Sequence, residues 1–115
     1  MKLFFKKICI GSDHAGYNLK EFIKDFLIKK NISVIDLGPF DNKSVDYPDF
    51  AKKVSNRIKT KKSDSGILVC GSGTGMSISA NKIKGIRAAV CYNLRSTRLC
   101  RQHNNANIIS LGSRL

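Results

Sequence analysis

The sequence predicts an α/β domain, three-layered in the order α/β/α with a five-stranded parallel sheet, and three observations carry that prediction. Short apolar runs alternate with amphipathic stretches along the whole chain, the runs are rich in Ile and Val, and glycine-rich turns stand where a run passes into a helical stretch. Strands that alternate with helices are joined by right-handed crossovers, which put helices on both faces of a mostly parallel sheet.

The elements follow in order. Ile8-Cys9-Ile10 is a short β-type run, with Met1 to Lys7 as its lead-in, and it ends in the turn-rich segment Gly11-Ser12-Asp13-His14-Ala15-Gly16. Leu19, Phe22, Ile23, Phe26 and Leu27 then recur at i, i+3, i+4, i+7 and i+8, which predicts an amphipathic helix buried by that face and closed by Asn31. Ile32 to Leu37 reads as a second strand stopped by Gly38-Pro39. Tyr47, Ala51, Val54 and Ile58 repeat at helical spacing, with Pro48 and Asp49 where helix starts favour them. Gly66 to Cys70 is a continuous apolar run, as a central strand covered on both faces requires, and it enters Gly71-Ser72-Gly73-Thr74-Gly75 and a helix from about Met76 to Lys84. Arg87 to Cys91 predicts a fourth strand, Arg95 to His103 a helix, and Ile108 to Leu111 a fifth strand. The layout is Rossmann-like.

At 115 residues the chain suits one domain, expected to span 1–115. Apolar residues at 42% and charged residues at 25% are ordinary globular proportions, and no run of eighteen apolar residues offers a membrane span, so no membrane partner is expected. The net charge of +13 raises nucleic acid as a partner. The lysines argue against it: Lys20, Lys24, Lys29, Lys30, Lys52, Lys53, Lys59, Lys61 and Lys62 are scattered over helix surfaces and turns, without an aromatic nucleic-acid motif. They read as a solvated surface that also attracts anionic metabolites. The four cysteines form no C-x-x-C pair and follow no secretory signal, so reduced thiols and a cytoplasmic location are expected.

In such folds ligands bind beyond the carboxyl ends of the strands. Gly71-x-Gly73-x-Gly75 misses the dinucleotide fingerprint at Met76, and the Gly11 to Gly16 spacing lacks a P-loop's Lys-Ser/Thr, having Tyr17-Asn18, so no nucleotide cofactor is expected. The glycine turn does offer a row of backbone N–H groups beside a helix N-terminus, a candidate oxyanion site; the alternative is a tight turn with no ligand. Cys70 stands at the entry to that turn, where the positive helix end favours an anion and a thiolate can act as a base. Cys9 and Cys91 lie inside apolar runs and read as small hydrophobes. Cys100 and His103 make half of a zinc-type spacing, but no second pair completes it, so no metal is expected. His103 is a candidate acid or base near neutral pH, with the Asn104 amide beside it, and Asp13-His14 has the same potential at the first strand end.

Gly11 to Gly16, Val45-Asp46-Tyr47-Pro48-Asp49, Gly66 to Ser77, Ala80-Asn81-Lys82, Gly85 to Ala89, Arg101-Gln102-His103-Asn104 and Leu111-Gly112-Ser113-Arg114 together resemble the ribose-5-phosphate isomerase B family, whose relatives include galactose-6-phosphate isomerase. The resemblance covers essentially the whole chain. It implies interconversion of an aldose phosphate and a ketose phosphate through an enediolate, without metal or organic cofactor, in a homodimer or homotetramer. It implies that Cys70 moves the proton between C1 and C2; some members use a glutamate at the position of Met76 instead. Ser72 and the amides of Gly71, Gly73, Thr74 and Gly75 would hold the enediolate oxygen with help from Asn104, and Asp13 and His103 would open the furanose ring. Tyr47 matches a sugar-pocket residue, whose alternative is packing at a helix start, while His14 and Arg114 match positions that reach the phosphate. A hexose 6-phosphate is the alternative substrate, and a catalytically weakened sugar-phosphate-binding module the alternative class. The family's C-terminal helix, which follows Gly112-Ser113-Arg114 and carries further phosphate-binding arginines, is expected to be lacking here, with a weakened phosphate site as the consequence.

Overall fold

Each apolar run becomes a strand whose neighbours bury it, and each amphipathic stretch becomes the helix that returns the chain to the sheet's starting edge. A computed structural model describes residues 4–115 as β1 (Lys7–Ser12), α1 (Tyr17–Lys29), β2 (Ser33–Asp36), α2 (Tyr47–Lys59), β3 (Ser65–Cys70), α3 (Thr74–Asn81), β4 (Ala88–Val90), α4 (Leu94–Asn104) and β5 (Ile108–Gly112). The first three residues of the expected lead-in lie outside the described residues. All neighbouring strands are parallel, in the order β2-β1-β3-β5-β4.

That order sets the site. The chain leaves β1 toward one side of the sheet and β3 toward the other, so a crevice opens between their carboxyl ends, where open α/β sheets bind ligands. The β1–β3 register, from Ile8 beside Ser65 to Ser12 beside Val69, brings Asp13 and Cys70 to the same edge.

The two faces can be read from side-chain alternation. Ala88 and Ile108 join Leu68, Val54, Met76 and Ala80 in the main core under α2 and α3, whereas Ala89, Ile109 and Leu111 pack with Cys91, Cys100 and Ala106 under α4. Right-handed crossovers place α1 on the α4 side. At Gly16, where α1 begins, a Cβ would lie 2.4 Å from the Val69 carbonyl oxygen, so glycine alone admits the close approach of α1 to β3.

Two expectations fail on α1. Phe22 and Phe26 of the predicted apolar face are 69% and 49% exposed, while Lys20, expected among the solvated lysines, is entirely buried. The ammonium is accommodated because Asp36, at the end of β2, takes it with both oxygens, at 2.9 and 2.7 Å. The Asp36 carboxyl also accepts from Lys24 Nζ and the Gly38 N–H. Burial works to raise its pKa, but Lys20, the Gly38 N–H and Lys24 prevail and hold it below the usual carboxylate range.

Helix α3 starts two residues before its predicted start and stops at Asn81 instead of Lys84. Gly73 explains the start: its left-handed backbone, φ 80°, turns the chain, and its carbonyl accepts the Ser77 N–H. Asn31 closes α1 as expected, in the left-handed region at φ 60°.

Candidate active site

Cys70 is the last residue of β3, fixed by pairing with Gly112 of β5. The glycine turn then folds back so that the Gly73 N–H donates to Cys70 Sγ at 3.1 Å. The thiol is 5% exposed and forms the floor of a cavity of about 380 Å³, large enough for a small metabolite.

Asp13, Tyr47, Ser72, Arg114 and Leu115 form the walls with Gly71 and Gly75. The Asp13 N–H donates to the Val69 carbonyl at 3.1 Å, and its carboxylate accepts the Gly16 N–H at 2.9 Å, so backbone on both sides holds it. The Tyr47 ring stands over the turn: a Cβ on Gly75 would come within 2.9 Å of its Cε1. Ser72 Oγ accepts the Thr74 N–H at 3.2 Å, a local turn bond just ahead of α3. Beyond β5, Ser113 N–H bonds the Cys70 carbonyl at 2.8 Å and Arg114 N–H the Gly71 carbonyl at 3.0 Å, which lays the arginine side chain along the glycine turn.

Asp13, Cys70, Ser72, Gly71, Gly73, Thr74, Gly75, Tyr47 and Arg114 are therefore brought together. His14 is close by in the chain but exposed: its Nδ1 accepts the Val45 N–H at 3.2 Å, which ties the loop that leads into Tyr47.

His103, expected beside Asp13 and Cys70 at the carboxyl edge, does not join them, and neither does Asn104. Helix α4 leaves that edge after β4 and runs back across the sheet, so its last residues stand at the opposite, amino edge. There the Asn104 carbonyl accepts Arg87 Nε at 2.8 Å, just before β4 begins, and His103 is exposed. An eleven-residue helix is about 16 Å long, enough to carry its end to the far edge.

Ser110 was missed. Fully buried in β5, its hydroxyl donates to the Gly73 carbonyl at 2.6 Å and pins the turn beneath Cys70. The available signal was a polar residue inside the apolar run Ile108-Ile109-Ser110-Leu111. A second cavity, about 260 Å³ between Phe5, Ile67 and Ile108, has almost wholly apolar walls and lies away from these groups. Among the described residues no cluster of three or more His, Cys, Asp or Glu is placed to hold a metal ion.

A parallel α/β sheet with a small cavity at its switch point, floored by a strand-end thiol and roofed by the N-terminus of a helix, defines a small-metabolite-binding protein of the doubly wound class. The chain belongs to the ribose/galactose isomerase family, whose sequence model matches residues 8–115. It is 44% identical over 110 residues to ribose-5-phosphate isomerase B of Escherichia coli, an alignment covering 96% of this chain and 74% of that one. Its fold is similar to that of Clostridium thermocellum ribose-5-phosphate isomerase B, with a TM-score of 0.93 and 57% identity over 94% of this chain and 73% of the other. The Mycoplasma genitalium enzyme, solved with bound ribulose 5-phosphate, matches with a TM-score of 0.87 and 44% identity over 94% and 72% of the two chains.

Proposed function

We propose that the protein interconverts ribose 5-phosphate and ribulose 5-phosphate at the Cys70 cavity. The observation that carries the reading is the thiol at the cavity floor, 3.1 Å from the Gly73 N–H, with Asp13 and Arg114 in the walls. Its support from relatives is the shared name of the Escherichia coli and Clostridium thermocellum enzymes and the ribulose 5-phosphate bound to the Mycoplasma genitalium one.

In the open-chain aldose, the Cys70 thiolate takes the proton from C2 while the C1 carbonyl oxygen gains charge. In this reading the amides of the glycine turn, beside the N-terminus of α3, stabilise that oxygen. Return of the proton from Cys70 to C1, with the C2 hydroxyl proton passing to the C1 oxygen, gives the ketose. Ring opening precedes this for the closed aldose and needs an acid and a base, for which Asp13 is one partner. The Arg114 guanidinium supplies two parallel donors for the phosphate dianion.

His103 and Asn104, at the amino edge of their own sheet, can act here only from a second copy of the chain, so the reading includes a homodimer in which each copy completes the other's site. The reading also places the protein in the cytoplasm, among reactions of pentose phosphates; four free thiols accord with a reducing compartment. The test is an assay of the purified protein with ribose 5-phosphate, galactose 6-phosphate and allose 6-phosphate, with and without chelator. Turnover of the pentose phosphate that vanishes in Cys70→Ala is expected. Turnover of a hexose phosphate alone, or full activity in Cys70→Ala, overturns the reading.

A further inference from the structure

Cys91 and Cys100 have no part in the proposed reaction, yet they meet. Cys91 follows β4 and Cys100 sits in α4, with Sγ atoms 3.9 Å apart, 5% and 7% exposed. Each S–H has a backbone acceptor of its own, the Ala89 carbonyl at 3.6 Å for Cys91 and the Thr97 carbonyl at 3.1 Å for Cys100. The two sulfurs also face each other within hydrogen-bond reach, and either can be the donor. The other two thiols are engaged elsewhere: Cys9 Sγ faces the Ser65 and Val54 carbonyls, and Cys70 Sγ the Gly73 N–H.

Cys100 is the only buried residue of α4, and the satellite core beneath the helix consists of Cys91, Cys100 and Ala106 with Ala89, Ile109 and Leu111 around them. The thiol pair is thus a main anchor of α4 within its own subunit. Local opening of that helix admits a small reagent to the sulfurs.

We infer that Cys91 and Cys100 form an oxidisable dithiol, a modification site for low-molecular-weight disulfides, and that its disulfide clamps α4 to β4. One thiol, as thiolate, attacks the small disulfide and expels one small thiolate; the second protein thiolate attacks the mixed disulfide and expels the other. The net change is two protein thiols and one small disulfide to one protein disulfide and two small thiols, with no further oxidant. Burial pushes the Cys91 thiol above its ordinary pKa, so the reaction accelerates as pH rises above neutrality. The inference is independent of the proposed isomerase activity, because its readouts involve no turnover.

The experiment exposes the full-length protein to oxidised glutathione, blocks remaining thiols, and maps peptides by mass spectrometry without reduction. The expected product links Cys91 to Cys100, lighter by two hydrogens, leaves Cys9 and Cys70 alkylated, and reverts with dithiothreitol. Amide hydrogen exchange in α4 should slow at least severalfold in the oxidised wild type, and by much less in Cys91→Ala and Cys100→Ala treated alike. Four alkylated cysteines, a linkage through Cys9 or Cys70, or unchanged exchange in α4 of the oxidised protein would each overturn the proposal. Since the linkage and the exchange are measured on the wild type, misfolding of a variant leaves the test decisive.

Discussion

Cys70 and Ser110 meet the same glycine turn from two strands, one through sulfur and one through a hydroxyl, and their variants should separate chemistry from scaffolding. Cys70→Ala is expected to abolish both isomerisation of ribose 5-phosphate and exchange of the C1 proton of ribulose 5-phosphate with deuterated solvent, since both pass through the same enediolate. His103→Asn should impair reaction of the closed sugar by about 10²-fold or more while sparing much of that exchange, as loss of a general acid–base group at ring opening alone would. Proton NMR in deuterated buffer checks both, and equal loss of exchange in the two variants would remove the division of labour. Ser110→Ala removes one of the two donors to the Gly73 carbonyl and leaves the Ser77 N–H as the other, at a cost of about 0.5–1.5 kcal/mol, and loosens the turn whose Gly73 N–H meets Cys70. Urea denaturation should show the destabilisation and steady-state kinetics a lower kcat with KM changed less. The thiol was legible in the sequence because a cysteine ending an apolar run before glycines is a local pattern. Ser110 was not, because its partner lies 37 residues away.

At the level of elements, α1 depends on charge as much as on apolar contact. Lys20 is fully buried against Asp36, whose carboxyl is held below the usual range, so the pair stabilises the fold at every pH above the unfolded carboxylate pKa of about 3.9. That contribution is lost as pH falls through the lower, folded-state value. Denaturation midpoints between about pH 6 and pH 2 should therefore drop toward acid. Asp36→Asn should cost about 3–5 kcal/mol near neutrality, by stranding the Lys20 ammonium, and show a shallower acid decline than wild type. An unchanged midpoint at neutral pH would mean that the ammonium finds other partners. Periodicity located α1 but assigned its buried side to Phe22 and Phe26, because a lysine counts as polar until its counter-charge, 16 residues on, is known.

For the whole molecule, the decisive fact is that Asp13 and Cys70 stand at one edge of the sheet and His103 at the other. If each copy completes the other's site, Cys70→Ala and His103→Asn should both be nearly inactive alone, yet regain activity when unfolded and refolded together. Random pairing makes half of the dimers mixed, each with one intact site of two, so recovery of about a quarter of wild-type activity is expected. No recovery in a mixture shown to contain mixed dimers would refute the shared site, and full activity of His103→Asn alone would place His103 outside the reaction. The β-α alternation, the parallel sheet, the strand-end thiol with its glycine turn, and the family resemblance were all legible in the order of residues, because hydrophobic period and turn chemistry act between near neighbours. Which helix face is buried, which hydroxyl pins the turn, how closely Cys91 approaches Cys100, and at which edge His103 emerges were settled by packing. Those outcomes depend on strand order and on the length of the returning helix, and they join residues that no local pattern connects.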